Sequence, residues 1–268
     1  MSAFLAYAFL QRALAAGLFI ALACAVLGVF LILRKDAMIG DGLAHITFAG
    51  VALGLFLKMM PLAVALVFSV AASLGIMKLK EKAGLYGDTA IAIVSSAGLA
   101  LGLILATLSR NPGVALLNYL FGEILAIDTA EVVLSIVLAA AVVAVIAANY
   151  RKLMFMTFDR ESAQVAGVRV RRLDALLTIL TSVTIVLGMK VVGILLVSAL
   201  IVIPAAGGLL RASSFKRAIV LASAVAAASV VGGLAAAFAL DLPVSGTIVA
   251  VSLILFGGLA ARRAPRRR

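Results

Sequence analysis

The sequence is poor in the side chains that chemistry in water relies on. It has one histidine, His45, and one cysteine, Cys24, and charged residues fill only 13% of its 268 positions. A lone cysteine forms no internal disulfide. Ala21-Leu22-Ala23-Cys24 matches a lipoprotein cleavage box only weakly, and its apolar run continues unbroken to Leu33, beyond the length of a signal-peptide core. Cys24 therefore reads as a small buried residue. There is no G-x-x-x-x-G-K-S/T phosphate loop, so the chain does not look like an ATPase. No Ser–His–Asp or paired-carboxylate arrangement suggests catalysis. Alternating strands of about 10 residues, the mark of a membrane β-barrel, are also missing.

Apolar length is what the sequence does contain. Hydrophobic residues make up 65% of the chain, against about half in a soluble domain. They fall in nine runs, roughly 13–33, 38–57, 61–77, 88–108, 130–148, 174–188, 191–210, 217–238 and 246–261. Most approach the ~20 residues that a helix needs to cross a ~30 Å hydrocarbon core. The expected fold is all-α: a polytopic transmembrane helical bundle of about 8–9 spans forming one domain over residues 1–268.

The net charge of +12 invites a nucleic-acid reading, but the basic residues sit between hydrophobic runs, as orientation signals do. Nineteen of the 23 lysines and arginines fall in alternate connections: Arg34 and Lys35; Lys78, Lys80 and Lys82; six between Arg151 and Arg172; Arg211, Lys216 and Arg217; and the tail 262–268. Only Arg12, Lys58, Arg110 and Lys190 lie elsewhere. The positive-inside rule then predicts the N-terminus outside and the C-terminus inside, with the tail against an anionic inner leaflet. The partner implied by this pattern is a lipid bilayer, not nucleic acid.

One span carries a polar pair. Asp41 lies four residues before His45 in Gly40-Asp41-Gly42-Leu43-Ala44-His45. Positions i and i+4 share a helix face. An ionisable side chain inside a bilayer is costly and points to function. Carboxylate plus imidazole suits zinc or manganese, whereas copper(I) favours sulfur ligands. Two ligands do not close a site; waters, a second copy of the chain or another residue must supply the rest. Phe48, Ala49 and Ala52 continue the same face and are expected to line a path. Without a metal, the pair would instead relay protons. That alternative makes the chain a proton-coupled secondary metal transporter working without an ATPase.

The segment 151–173 is the longest connection on the basic side. Within it, Asp159 is expected to cap a short helix, Glu161 to suit its positive N-terminal dipole, and Gly167 to stop it. Phe158, Ala163, Val165 and Ala166 offer apolar contact surface to a partner or to headgroups. Elsewhere, Pro61 suits a helix start, Asp88 a helix cap, and Gly50 with Gly54 a close helix contact. Pro204 is expected to kink or break its helix. Residues 116–125 are too short to span and too apolar for a free loop, which suggests an interfacial or re-entrant helix. Glu123 within them reads as a solvated or capping carboxylate.

The order and spacing of several stretches resemble the ABC-type permeases for zinc and manganese uptake. They are the Gly40–His45 motif followed by Gly50-Val51-Ala52-Leu53-Gly54, then Asp88-Thr89-Ala90-Ile91-Ala92-Ile93, Tyr119-Leu120-Phe121-Gly122, Val192–Ala206, and Leu242-Pro243-Val244-Ser245-Gly246. The resemblance spans Ala13 to about Gly258. It implies a homodimer of this chain in the cytoplasmic (inner) membrane of a prokaryote, a pair of cytoplasmic ATP-binding subunits, and an external metal-binding protein. No cofactor would be held permanently; the divalent ion (Zn2+ or Mn2+, with iron a further candidate) would be cargo, and ATP would bind the partner. By resemblance, Asp41 and His45 match the intramembrane metal positions, and Asp159, Arg160, Glu161, Ala163 and Gly167 fall in the coupling segment that seats in the ATPase. Val244 departs from the family pattern by interrupting its Pro-Ser-Gly, and Glu123 falls at a variable position and is not assigned as a ligand.

Overall fold

A computed structural model describes residues 8–83, 87–109, 119, 122 and 128–261. Eleven α-helices and no strand occur among these residues. They are α1 (Ala8–Leu33), α2 (Ile39–Phe56), α3 (Pro61–Ala83), α4 (Gly87–Leu108), α5 (Thr129–Ala148), α6 (Tyr150–Phe158), α7 (Arg160–Val165), α8 (Val170–Val192), α9 (Ile194–Arg211), α10 (Phe215–Leu240) and α11 (Val244–Ala261). Helix is the expected state for such apolar runs, because it satisfies each backbone N–H and C=O within its own segment.

By length and composition, α1, α2, α3, α4, α8, α10 and α11 are seven candidate spans; α5 and α6, bent by 67° at their junction, make an eighth if taken together. The apolar stretch of α9 is shorter, Leu196–Arg211. The run read as 174–188 is in fact the longer α8, extended backwards through Arg171 and Arg172 and onwards to Val192. Those charges lowered the local hydropathy and hid the first turn.

Helices α1 and α2 are the most enclosed spans, while α4 and α11 lie at the periphery. Helix α1 packs against α5, α8, α9 and α10, and α2 is held between α3 and α4. Apolar side chains gain little by leaving lipid for one another, so small residues that let backbones approach decide the packing. Gly50 and Gly54 do this on α2: a Cβ at either would lie 2.6 Å from a Cα of α3, at Ala65 and Pro61 respectively. Pro61 opens α3 as expected. Asp88, expected as a cap, instead falls inside the first turn of α4.

The anticipated break at Pro204 is not there: α9 runs through it as one helix. The chain breaks instead at Gly193, where φ is +87° and α8 ends. Gly188 on α8 faces Val197 on α9, so the chain folds back at that residue. Gly122 abuts the same turn, its would-be Cβ 2.5 Å from the Gly193 nitrogen.

Three of the basic connections gather at one end of the bundle. Arg34, Lys35, Lys80 and Arg160 line a single cavity of about 550 Å³. The start of α10 lies at the same end, since the Phe215 ring meets Phe30 and Phe158 edge to face and Tyr150 at a tilt. Glu123, most of 116–125 and the tail 262–268 lie outside the described residues.

Candidate functional site

Helix α2 is buried almost throughout its first three turns, with two breaches. Gly40 faces Ile201 of α9 and Gly42 faces Ile91 of α4, and Leu43, Ala44, Ile46 and Thr47 are enclosed. Between these contacts Asp41 and His45 remain open, with side-chain exposures of 53% and 33%. Asp41 Oδ2 lies 3.7 Å from His45 Nε2. That exceeds hydrogen-bond length, so the two groups flank a shared space without saturating each other. Thr47, two residues past His45, is occupied elsewhere, donating to the Leu43 carbonyl at 2.7 Å and lying 3.2 Å from Ser69 Oγ on α3.

Beyond the pair the same face is enclosed. Phe48, Ala49 and Ala52 are buried within the chain, at 6%, 1% and 1% exposure. Phe48 and Ala49 press on Gly102 of α4, whose would-be Cβ lies 2.6 Å from the Phe48 ring. The turn above His45 is thus covered by a neighbouring helix in the same chain. No cluster of three or more His, Cys, Asp or Glu side chains occurs among the described residues, so one chain brings two such ligands to this place.

The second region is α7. Asp159 caps it, its carboxylate accepting the Ser162 backbone N–H at 2.9 Å. The side-chain and backbone hydrogen bonds from Ser162 hold the Asp159 carboxyl below the usual carboxylate range. Glu161 is in the first turn. At the far end Gly167 adopts φ +79°. Its N–H donates to the Gln164 carbonyl and the Val168 N–H to the Ala163 carbonyl, a Schellman closure. Ala163 is fully buried among Leu153, Met156 and Leu177, which fixes α7 on α6 and α8. The rest of α7 is open, with Arg160, Glu161, Ser162 and Gln164 exposed beside Val165 at 91%, and Phe158 at the end of α6 is 65% exposed.

Sequence reasoning missed what lies between these two regions. Asp174, on α8, is a buried acid that receives Arg34 on one oxygen and Arg160 on the other, the latter at 2.6 Å. Arg34 also reaches Asp36 at 3.8 Å, and Asp36 accepts Lys80 of α3 at 2.6 Å. Arg34 Nη1 is buried with no hydrogen-bond partner among the described residues. The available signal was an acid among apolar residues, directly after three arginines, at what looked like the edge of a span.

The model of the ABC 3 transport family matches residues 6–261. The chain belongs to the ABC 3 transport family. It is a membrane permease, and ATP hydrolysis is carried out by a separate subunit. The permease is 33% identical over 250 residues to the manganese transport system membrane protein MntC of Listeria monocytogenes, covering 93% of this chain and 89% of that one. It is 33% identical to the high-affinity zinc uptake system membrane protein ZnuB of Haemophilus influenzae, covering 91% and 94%. Among solved structures, PsaBC from Streptococcus pneumoniae, in complex with Fab, superposes with a TM-score of 0.86 at 31% identity, covering 97% of the permease and 93% of that chain.

Proposed function

We propose that the permease imports a divalent metal ion, zinc or manganese, using Asp41 and His45 as its ligands. The observation that carries this reading is the exposed Asp41–His45 pair on an otherwise buried helix. A carboxylate and an imidazole suit ions of intermediate softness, and the relatives named for manganese and zinc transport support that class of cargo. A relative named as a probable iron transport system membrane protein keeps iron in the comparison.

Two ligands leave such an ion open to exchange or to further donors. A second copy of the chain, related by a two-fold axis, would offer the same pair again, so the working unit is a homodimer with the ion between copies. The basic end faces the cytoplasm by the positive-inside rule, which puts the N-terminus outside the inner membrane and the C-terminus inside. There Val165 at the end of α7 and Phe158 at the end of α6 face a cytoplasmic ATP-binding subunit. An external metal-binding protein delivers the ion on the other side. ATP binding and hydrolysis switch the access of the site by a rigid-body or hinge movement, and the site holds the ion weakly enough to release it.

The test is metal uptake and ATP hydrolysis in proteoliposomes holding the permease, its ATPase and its binding protein, with zinc, manganese and iron compared. We expect one loaded binding protein to stimulate hydrolysis, and Asp41→Ala and His45→Ala each to abolish uptake while the complex still assembles. Unchanged uptake in both variants sinks the assignment. Uptake by the permease alone under a pH gradient would establish the proton-coupled alternative.

A further inference from the structure

The ion pairs at the basic end connect the docking helix to the helix that bears Asp41 and His45. Arg160 is the first residue of α7. Its guanidinium meets Asp174 of α8 at 2.6 Å, and the other oxygen of Asp174 takes Arg34, in the turn between α1 and α2. Arg34 leans on Asp36, whose backbone carbonyl accepts the N–H of Ile39, the first residue of α2, at 3.0 Å. Lys80 of α3 closes on the Asp36 carboxylate. Asp41 follows two residues after Ile39. Five charged side chains thus join four elements, and Asp174 is the one that touches both the α7 side and the α2 side.

Two features show that this is more than anchorage. The Asp174 side chain is only 9% exposed, so its two partners cannot be replaced freely by water, and a displaced Arg160 must drag the carboxylate or leave one of its oxygens without its partner. On the other side, Arg34, Asp36, Lys80, Arg160 and Asp174 all border the same 550 Å³ cavity. That space lets the pairs shift as a group, and the spare buried Nη1 of Arg34 gives it a donor with which to take a new partner. Tight pairing beside free volume is the arrangement expected of a linkage with two discrete settings.

We infer that Asp174 is a positioning residue that transmits movement of α7 to the start of α2 by bridging Arg160 and Arg34, and so links ATP hydrolysis to access at the Asp41–His45 pair. This rests on the docking and metal-binding roles proposed above. Asp174 touches no cargo; it acts through Arg34 and Asp36.

The experiment measures metal ions imported and ATP hydrolysed in the same proteoliposomes, with permease, ATPase and binding protein all present. Asp174→Asn and Arg34→Gln are each expected to retain the ATPase on co-purification and to hydrolyse ATP within about twofold of the wild type, while ions moved per ATP fall at least about fivefold. Because both lie on one path, the double variant should be no worse than the poorer single. An intact complex with an unchanged ratio overturns the inference, as does a double variant whose losses multiply. If Asp174→Asn yields no intact complex, Lys80→Gln carries the test, since its side chain is closer to water at 23% exposure: a lowered ratio supports the linkage and an unchanged one overturns it. Failure of the wild type to import any metal would overturn the functional reading instead, so the two failures are separable.

Discussion

Gly28 of α1 lies against the backbone of Ile201 on α9, so closely that a Cβ at residue 28 would stand 1.9 Å from the Ile201 carbonyl oxygen and 2.9 Å from the Ala205 Cβ. This contact falls beside Pro204, whose missing N–H leaves α9 one hydrogen bond short. The close seat on α1 gives α9 support where its own ladder is weakest, which accounts for a helix that stays whole through an internal proline.

A methyl group at Gly28 must therefore push two backbones apart. Gly28→Ala is expected to destabilise the permease by about 2 kcal/mol or more, in the range of overpacked cores. Thermal unfolding in detergent reads this directly. Gly75, with no atom of the described residues within 4 Å of its would-be Cβ, is the control: Gly75→Ala should leave the midpoint equal or higher, since alanine favours helix. Equal midpoints for the two variants would show that α1 and α9 have slack at this crossing.

Val165 makes a sharper probe of docking than the residues around it. It is 91% exposed, whereas Phe158 meets Phe215 edge to face and Ala163 is fully buried. On the docking role proposed for α7, Val165→Glu should cut co-purification of the ATPase at least tenfold. The melting of the permease alone should barely move, as for most surface substitutions. Retention of the ATPase at wild-type levels would place the docking surface elsewhere.

How far these features could be read from the sequence depended on their range. The α7 cap and stop are local, so Asp159 and Gly167 were legible from spacing alone. Asp41 and His45 were legible because a sole histidine one turn from a carboxylate stands out in an apolar run. Phe48, Ala49 and Ala52 share a face by periodicity, but periodicity does not say what covers it, and Gly102 of α4, more than fifty residues on, lies on Phe48 and Ala49. The Asp174 linkage was invisible for a stronger reason. Arg34 and Asp174 are 140 positions apart, and positive-inside orientation already accounted for Arg34, Lys80 and Arg160, leaving no unexplained charge to prompt a search.

The acid side of the pH profile should report on the α7 cap. Asp159 has a carboxyl held low by hydrogen bonds from Ser162. A folded-state pKa below the unfolded one means that the carboxylate stabilises the cap fully above the ordinary aspartate value. That contribution is lost as pH falls through the lower folded value. Protection factors of the 160–165 amides, corrected for intrinsic exchange, should be flat between about pH 6 and 8 and decline only at strongly acid pH. In Asp159→Ala they should be several-fold lower at neutral pH and insensitive to acid. A wild-type decline already near pH 6 would show that another group controls this helix.

Gly167 tests the other end of α7 by conformation alone. Its φ of +79° disfavours any side chain, yet no atom of the described residues lies within 4 Å of where a Cβ would sit. Substitution therefore meets no steric contact, and the cost comes from the backbone. Gly167→Ala should weaken the Schellman closure by about 1 kcal/mol, Gly167→Asn by less because asparagine tolerates this region, and Gly167→Val by more. Exchange protection of the α7 amides should rank glycine above asparagine, alanine and valine in that order. The ranking matters for function because the closure aims Val165 outward while Ala163 stays buried. If α7 is the surface on which the ATPase acts, affinity for that subunit should follow the same order. Intact affinity in Gly167→Val, despite lost protection, would mean that the partner itself restores the helix on binding.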